Sequence, residues 1–252
     1  MNETEDVVLP SQDKKQNWDL IYNAKYPTLY QNELMKKCNI HEKNRSLKRV
    51  FDTEILKLCQ LESEKRSLNC IDLLSSYGDS FLALINGMTP EEILEAWDSE
   101  ENSLNIKNSR RFNCQTLGVD ISENAIKYAK KAGIFNHILQ IDINNMNDTD
   151  SNTLGEHLKK ADIIHLGSPG YMSMESFAFV VDNFIQGNPH FGYFIVSFNS
   201  LFMKSHKEFK QYILNKLNFI DCEGGFQRHL LKHEEQSFHV KSVYNTTWLM
   251  KR

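Results

Sequence analysis

The sequence predicts an α/β fold: a doubly wound, mostly parallel sheet with an antiparallel C-terminal edge and an N-terminal helical cap. Three observations predict it. From Asn69 to Phe198, short apolar runs alternate with segments of helical periodicity, the pattern of a parallel sheet covered by helices on both faces. Beyond Asn215 the strand-like runs follow one another without an intervening helix, which suggests antiparallel pairing. Ahead of Asn69, residues 18–62 read as helical.

The elements follow in order. Residues 1–17 are polar and acidic and are expected to fray. Trp18, Leu20, Ile21 and Tyr22 open a helical segment that Tyr26-Pro27 breaks, because a residue before proline is pushed off helical geometry. Leu29–Lys37 and Lys48–Glu62 are further helical candidates, so that 18–62 forms the cap and 63–252 the main domain. Asn69–Leu74 is the first strand, followed by the turn Ser75-Ser76-Tyr77-Gly78 and a helix over about Asp79–Asn86. MTPEEILEAWDSEE, residues 88–101, reads as one short helix with Thr89 as N-cap, Pro90 in the first turn, and Glu91 and Glu92 favouring the helix dipole. A polar loop, Asn102–Arg111, leads to the strand Thr116–Val119, which delivers Asp120. Ser122 caps the next helix, whose stripe is Ala125, Tyr128, Ala129 and Ala132 and whose stop is Gly133. His137–Ile141 is a strand that delivers Asp142. Ala161–Leu166 is a fourth strand, ending in Gly167-Ser168-Pro169-Gly170-Tyr171, with a helix over about Met172–Ile185. Phe191–Phe198 is a strand and Lys204–Asn215 a helix; Phe219–Cys222, a hairpin arm at Phe226–Leu231, and Val243–Met250 complete the chain.

Asp120 and Asp142 carry the functional signal. Ligands of open α/β sheets bind outside the carboxyl ends of the strands. A carboxylate at one tip can accept hydrogen bonds from both ribose hydroxyls, and an acid one strand further along can reach the exocyclic amine of adenine. Either acid alone reads as an ordinary strand-end acid or a helix cap; the pair, in this order, favours ligand binding.

Composition narrows the class. The chain has 252 residues and a net charge of −4, which disfavours a broad nucleic-acid-binding face. No apolar run is long enough to span a membrane, and nothing at the N-terminus reads as a signal peptide, so the cytoplasm is the expected compartment. The five cysteines are scattered and odd in number, which fits buried free thiols in a reducing environment. The histidines show no metal-ligand spacing, and no metal is assigned.

At this point the residues resemble those of class I S-adenosylmethionine-dependent methyltransferases. The resemblance spans roughly Asn69 to Arg252 and is strongest over Gln115–Asn144. A narrower likeness, to a bacterial branch of the family, rests on Ser76-Tyr77-Gly78, Gly170-Tyr171, Gln227-Arg228 and Ile21-Tyr22-Asn23-Ala24. The resemblance implies a Rossmann-like sheet of seven strands, with S-adenosylmethionine as cofactor and S-adenosylhomocysteine as product. It implies that Asp72 orients the turn and the cofactor's amino group, and that Ser75, Tyr77 and Gly78 line the methionine side. Asp120 would bind the ribose, Ile121 would pack on adenine, Asp142 would meet the adenine amine beside the Ile143 backbone, and Leu166 and Gly167 would floor the sulfonium. In the family's first motif glycines let the backbone approach the cofactor; here Leu74 and Ser76 stand in glycine positions and Gly78 alone remains.

For the chemistry, His165 is the candidate base, with a core histidine as the equal alternative, and Tyr171 can contact substrate or pack. Tyr22, Tyr26 and Tyr30 recur every four residues and would share one helix face, either lining a pocket or packing. Arg228 could pair with a substrate carboxylate or with a surface acid. The leading expectation is methyl transfer to an O, N or S atom of a small molecule, with a homodimer as the other expected partner. A degenerate methyltransferase fold that only binds is the second reading. A nucleotide-dependent oxidoreductase is the third, and it lacks its Gly-x-Gly-x-x-Gly turn in Asp72–Phe81.

Overall fold

The computed structural model describes residues 19–37, 39, 41–106, 109–187, 191–200, 203–229 and 242–252, the side chains at 19, 203–206, 225–229 and 242 excepted. The strands are β1 (Leu68–Leu73), β2 (Cys114–Asp120), β3 (His137–Gln140), β4 (Ile163–Leu166), β5 (Tyr193–Asn199), β6 (Asn218–His229) and β7 (Ser242–Lys251). They form one seven-stranded sheet in the order β3-β2-β1-β4-β5-β7-β6. β1 to β5 are parallel, and β7 lies antiparallel between β5 and β6. This is the expected architecture, with β7 interior and β6 as the edge.

The helices are α1 (Asp19–Tyr22), α2 (Thr28–Tyr30), α3 (His41–Glu54), α4 (Leu56–Ser63), α5 (Asp79–Leu84), α6 (Pro90–Ala96), α7 (Glu100–Leu104), α8 (Glu123–Lys131), α9 (Asp148–Lys160), α10 (Met174–Ile185) and α11 (Met203–Leu214). Strand side chains alternate between two cores, as the pleat requires. Leu68 and Cys70 of β1 face a core built with α3, α5, α6 and α8; Ile71 and Leu73 face one built with α9, α10 and α11. By the same alternation Asp72 and His165 turn toward the first core. At the amino edge, Arg66 grips the buried Asp162 carboxylate with two hydrogen bonds of 2.8 and 2.7 Å, and Asp162 also accepts from the Asn69 amide.

The N-terminal cap is not a run of regular helices: α2 passes into a π-helical turn, Gln31–Lys36, before α3. Residues 88–101 form two helices, because Ser99 accepts from the Asn102 amide and starts a new one. Thr89 is the N-cap of α6 as expected, and the structure adds a reciprocal bond, Thr89 and Glu92 exchanging hydrogen bonds of 3.2 and 2.7 Å in a capping box. α9 was not anticipated, although Asn147 caps it, acids fill its first turn and Lys159 and Lys160 its last. The two C-terminal arms before β7 are one strand, β6, with irregularities at Phe219/Asp221 and Phe226/Arg228. The expected fraying of 1–17 and the end of the arm at 230–231 lie outside the described residues. Cys59, Cys70 and Cys114 are buried free thiols, whereas Cys222 is free and exposed.

Gly118 in β2 shows how closely α8 and its following turn seat on the sheet. A Cβ there would sit 2.5 Å from the Phe135 ring, which packs on Phe81 of α5 at 5.4 Å between centroids. Gly118→Ala is expected to lower stability by about 1–3 kcal/mol through overpacking. Urea unfolding checks this; an unchanged midpoint would mean that Phe135 withdraws freely.

Candidate functional site at the carboxyl edge

The chain leaves β1 in one direction, toward β2 and β3, and returns on the other side as β4 and β5. The carboxyl ends of β1 and β4 therefore flank a topological switch point, where α/β sheets bind ligands. The turn after β1 is unusual. Leu74, Ser76 and Gly78 have φ of 56°, 48° and 89°. Left-handed backbone at a non-glycine residue costs about 1–2 kcal/mol. The turn is held there by its surroundings: the Ser75 amide donates to the Val119 carbonyl at 3.1 Å, the Ser76 amide to Asp120 Oδ2 at 2.8 Å, and the Gly78 amide to the Ser75 carbonyl at 2.9 Å. Leu74 rests on the core beneath β1.

Asp120 is nearly buried, and its second oxygen accepts from the Ser122 amide at 2.8 Å. Burial raises its pKa, against the pull of the Ser122, Ser76 and Ile121 amides. Beside it Ile121 is 59% exposed, an apolar side chain free at the strand tip. Asp142 follows β3 and caps a turn, accepting from the Asn144 amide at 3.0 Å and from Asn145 Nδ2 at 2.7 Å. Asn144 then bridges to the β4 end: its Nδ2 donates to the Tyr171 carbonyl and its Oδ1 accepts from the Ser173 amide, both at 2.8 Å. The two acids stand on neighbouring strand tips as the sequence implies, each also bracing its own loop. Ile143 and Leu166 point into the lower core.

Asp72 and His165 are paired in register across β1 and β4. His165 Nδ1 lies 2.7 Å from Asp72 Oδ1, and both side chains are essentially inaccessible to solvent. Burial pushes the Asp72 carboxyl well up, Asp79 and Asp120 add to the shift, and Lys43 opposes it. Burial first, then Lys43, lowers His165 to about 3. An imidazole that stays neutral so far into acid is a weak proton acceptor at neutral pH. Asp72 Oδ2, His165 Nε2, Ser75 Oγ and Ser76 Oγ are buried and have no hydrogen-bond partner among the described residues. Four such atoms around one turn are costly unless a ligand or water meets them.

The N-terminal segment crosses over this edge. Tyr77 Oη lies 2.8 Å from the Ile21 carbonyl and 2.7 Å from that of Ala24, its single proton serving both. Ser122 Oγ donates to the Tyr22 carbonyl, and Asn124 Nδ2 to that of Asn23 at 2.7 Å. Tyr22, Tyr26 and Tyr30 do not share a helix face, because the chain turns between α1 and α2. Tyr22 and Tyr30 converge at 5.7 Å and Tyr30 meets Tyr77 at 5.3 Å, whereas Tyr26 meets Tyr128 at 6.4 Å, on the same aromatic cluster. Burial raises the Tyr22 phenol's pKa, as do Tyr171, Asp120 and Asp79 around it.

Sequence reasoning missed three residues here. Asp79, buried at the start of α5, accepts from Asn44 Nδ2 at 2.8 Å and from Tyr30 Oη at 3.4 Å. Lys43 on α3 reaches over the β4 end, its Nζ 3.4 Å from where a Cβ on Gly167 would stand. In the sequence Asp79 marks only the start of a helix, and nothing in the local sequence marks Lys43 or Asn44. Arg228 lies in β6, and its side chain is outside the described residues. Among the described residues no group of three or more His, Cys, Asp or Glu could hold a metal ion, and no helix is long and apolar enough to cross a membrane.

Tyr77→Phe is expected to free the N-terminal segment, costing about 1 kcal/mol and speeding tryptic cleavage at the exposed Lys25. Cleavage at the wild-type rate would show that Tyr77 does not hold the segment.

No protein-family model and no curated protein matches the chain. Among solved structures it is similar to a TehB-like SAM-dependent methyltransferase from Corynebacterium glutamicum, at 10% identity and TM-score 0.42, over 78% of this chain and 86% of that one. It is similar to the N-methyltransferase NodS from Bradyrhizobium japonicum, at 11% identity and TM-score 0.41, over 80% and 97%. It is also similar to the plantazolicin methyltransferase BamL in complex with a desmethyl analogue and SAH, at 9% identity and TM-score 0.47, over 88% of each chain. Likenesses this distant transfer no function, and the fold is fixed by the strand order of the sheet itself.

Proposed function

We propose that the chain is an S-adenosylmethionine-dependent methyltransferase that moves a methyl group to an O, N or S atom of a small molecule, residues 63–252 binding the donor and 18–62 covering it. The observation that carries this reading is the turn after β1. Strained backbone persists where its surroundings over-determine it, and such strain clusters at ligand sites. Here Leu74 and Ser76 keep left-handed backbone without being glycine, and buried polar atoms without partners among the described residues surround them.

The residues fit the donor. Asp72 Oδ2, Ser75 and Ser76 offer polar atoms to its amino-acid end. Each Asp120 oxygen has a lone pair left for a ribose hydroxyl, and Ile121 offers an apolar face to adenine. Asp142 and the Ile143 backbone would meet the adenine edge, with Tyr77 and Gly78 behind the turn and Leu166 and Gly167 beneath. S-adenosylmethionine supplies a methyl group already activated by a positive sulfur. The protein's part is to align acceptor and donor and to keep water out. Tyr22, Tyr30 and Tyr171 would border the acceptor, and the N-terminal segment would close the edge. Tyr26, against Tyr128, serves the segment's packing. His165 is assigned to positioning Asp72 rather than to proton removal, since its imidazole has little proton affinity at neutral pH.

A second reading, a fold that binds without turnover, is favoured by one observation: both Asp120 oxygens already accept from the chain's own backbone. Calorimetric titration with S-adenosylmethionine and S-adenosylhomocysteine tests the proposal. Wild type is expected to bind both, and Asp120→Asn, which keeps the shape and removes the charge, to bind about tenfold more weakly. No binding at millimolar ligand would sink the methyltransferase reading; tight binding with no methyl transfer to any acceptor would favour the second.

A further inference from the structure

Lys43 is set apart from the other cations of α3. Arg45 pairs with Glu42 and Glu91 at 3.0 and 2.6 Å, Arg49 pairs with Glu223 at 2.6 Å, and Lys48 pairs with Asp52. Lys43 is half-buried, and no carboxylate among the described residues lies within ion-pairing distance of it. Its ammonium stands over Gly167 and the edge of the His165 ring, at the carboxyl end of β4; a Cβ on Gly167 would sit 3.4 Å from Nζ and 3.2 Å from His165 Cε1. The two nearby acids are already engaged, Asp72 by His165 and Asp79 by Asn44 and Tyr30. A half-buried ammonium without a counter-charge is costly, and the cost falls when an anion enters.

We propose that Lys43 binds the acceptor, and that the acceptor is a small acid presenting a carboxylate oxygen at the β4 end of the site. The inference rests on the methyltransferase reading and deepens it by naming a substrate class. Two cations would otherwise face each other, Lys43 and the donor's sulfonium, and an anionic acceptor is attracted to both. The chemistry balances without a base. A lone pair of the carboxylate oxygen forms the O–CH3 bond as the S–CH3 bond breaks, and the S–C electron pair stays on sulfur. The products are a methyl ester and neutral S-adenosylhomocysteine, and no proton moves. A nucleophile that arrives deprotonated asks nothing of the neutral His165 imidazole beside it.

The test uses benzoate as probe and benzamide as its neutral counterpart, each titrated into the full chain with and without saturating S-adenosylhomocysteine. Benzoate is expected to bind about tenfold more tightly than benzamide. The preference should vanish in Lys43→Met and survive in Lys43→Arg. Equal affinities, no benzoate binding at millimolar concentration, or a preference untouched by Lys43→Met would overturn the proposal. So would a Lys43→Met variant that loses affinity for S-adenosylhomocysteine but not for 5′-methylthioadenosine, since Lys43 would then serve the donor's carboxylate. If wild type binds no S-adenosylhomocysteine but keeps a Lys43-dependent preference for benzoate, the anion site stands and the donor reading alone fails.

Discussion

The Asp120 carboxylate holds two segments of chain at once. One oxygen takes the amide of Ser76 in the turn after β1, and the other takes the amide of Ser122 at the start of α8. Hydrogen bonds to a charged acceptor are the strong ones, and in a nearly buried setting they are screened least. That pair of bonds is set against the left-handed backbone of Leu74 and Ser76. It also aims Ser122 and Tyr77 at the carbonyls of the crossing N-terminal segment. Floor, wall and cover of the carboxyl edge thus converge on one side chain. A loss of its charge would be felt in all three.

Charge is the second constraint. Asp79, Lys43 and Asp120 act on Asp72, and Lys43 and Asp79 act on His165. Burial drives Asp72 and His165 toward their neutral forms, and Asp79 is held by neutral donors, Asn44 and Tyr30. What remains is a site whose electrostatics are set by few charges, so that each one weighs heavily on what can bind.

Much of this was legible where a local rule applied. Strand alternation, Ser122 and Thr89 as caps, and Asp120 and Asp142 at strand ends all follow from neighbours in sequence. α9 escaped because its buried apolar side chains are few, Leu154 and Leu158, among polar residues and a glycine. β6 looked like two arms because Gly224 and Gly225 interrupt it, whereas pairing with β7 carries it through. The spacing of Tyr22, Tyr26 and Tyr30 suggested a single face, but it is only a helix rule, and the turn at Pro27 cancels it. Lys43, Asn44 and Asp79 acquire meaning only when α3 lies against α5 over β4. Such a meeting depends on packing between distant segments, and no window of sequence contains it.

The placement of β7 between β5 and β6 has a consequence for how the chain comes into being. During synthesis β6 emerges before the strand it must pair with, and until β7 arrives, β5 presents a bare edge next to a buried core. An unpaired edge is a template for wrong partners. The sheet therefore closes backwards, its latest strand slotting between two earlier ones. Folding of that half must wait for translation to finish β7, and the interval is the window in which a nascent chain most needs protection from its neighbours.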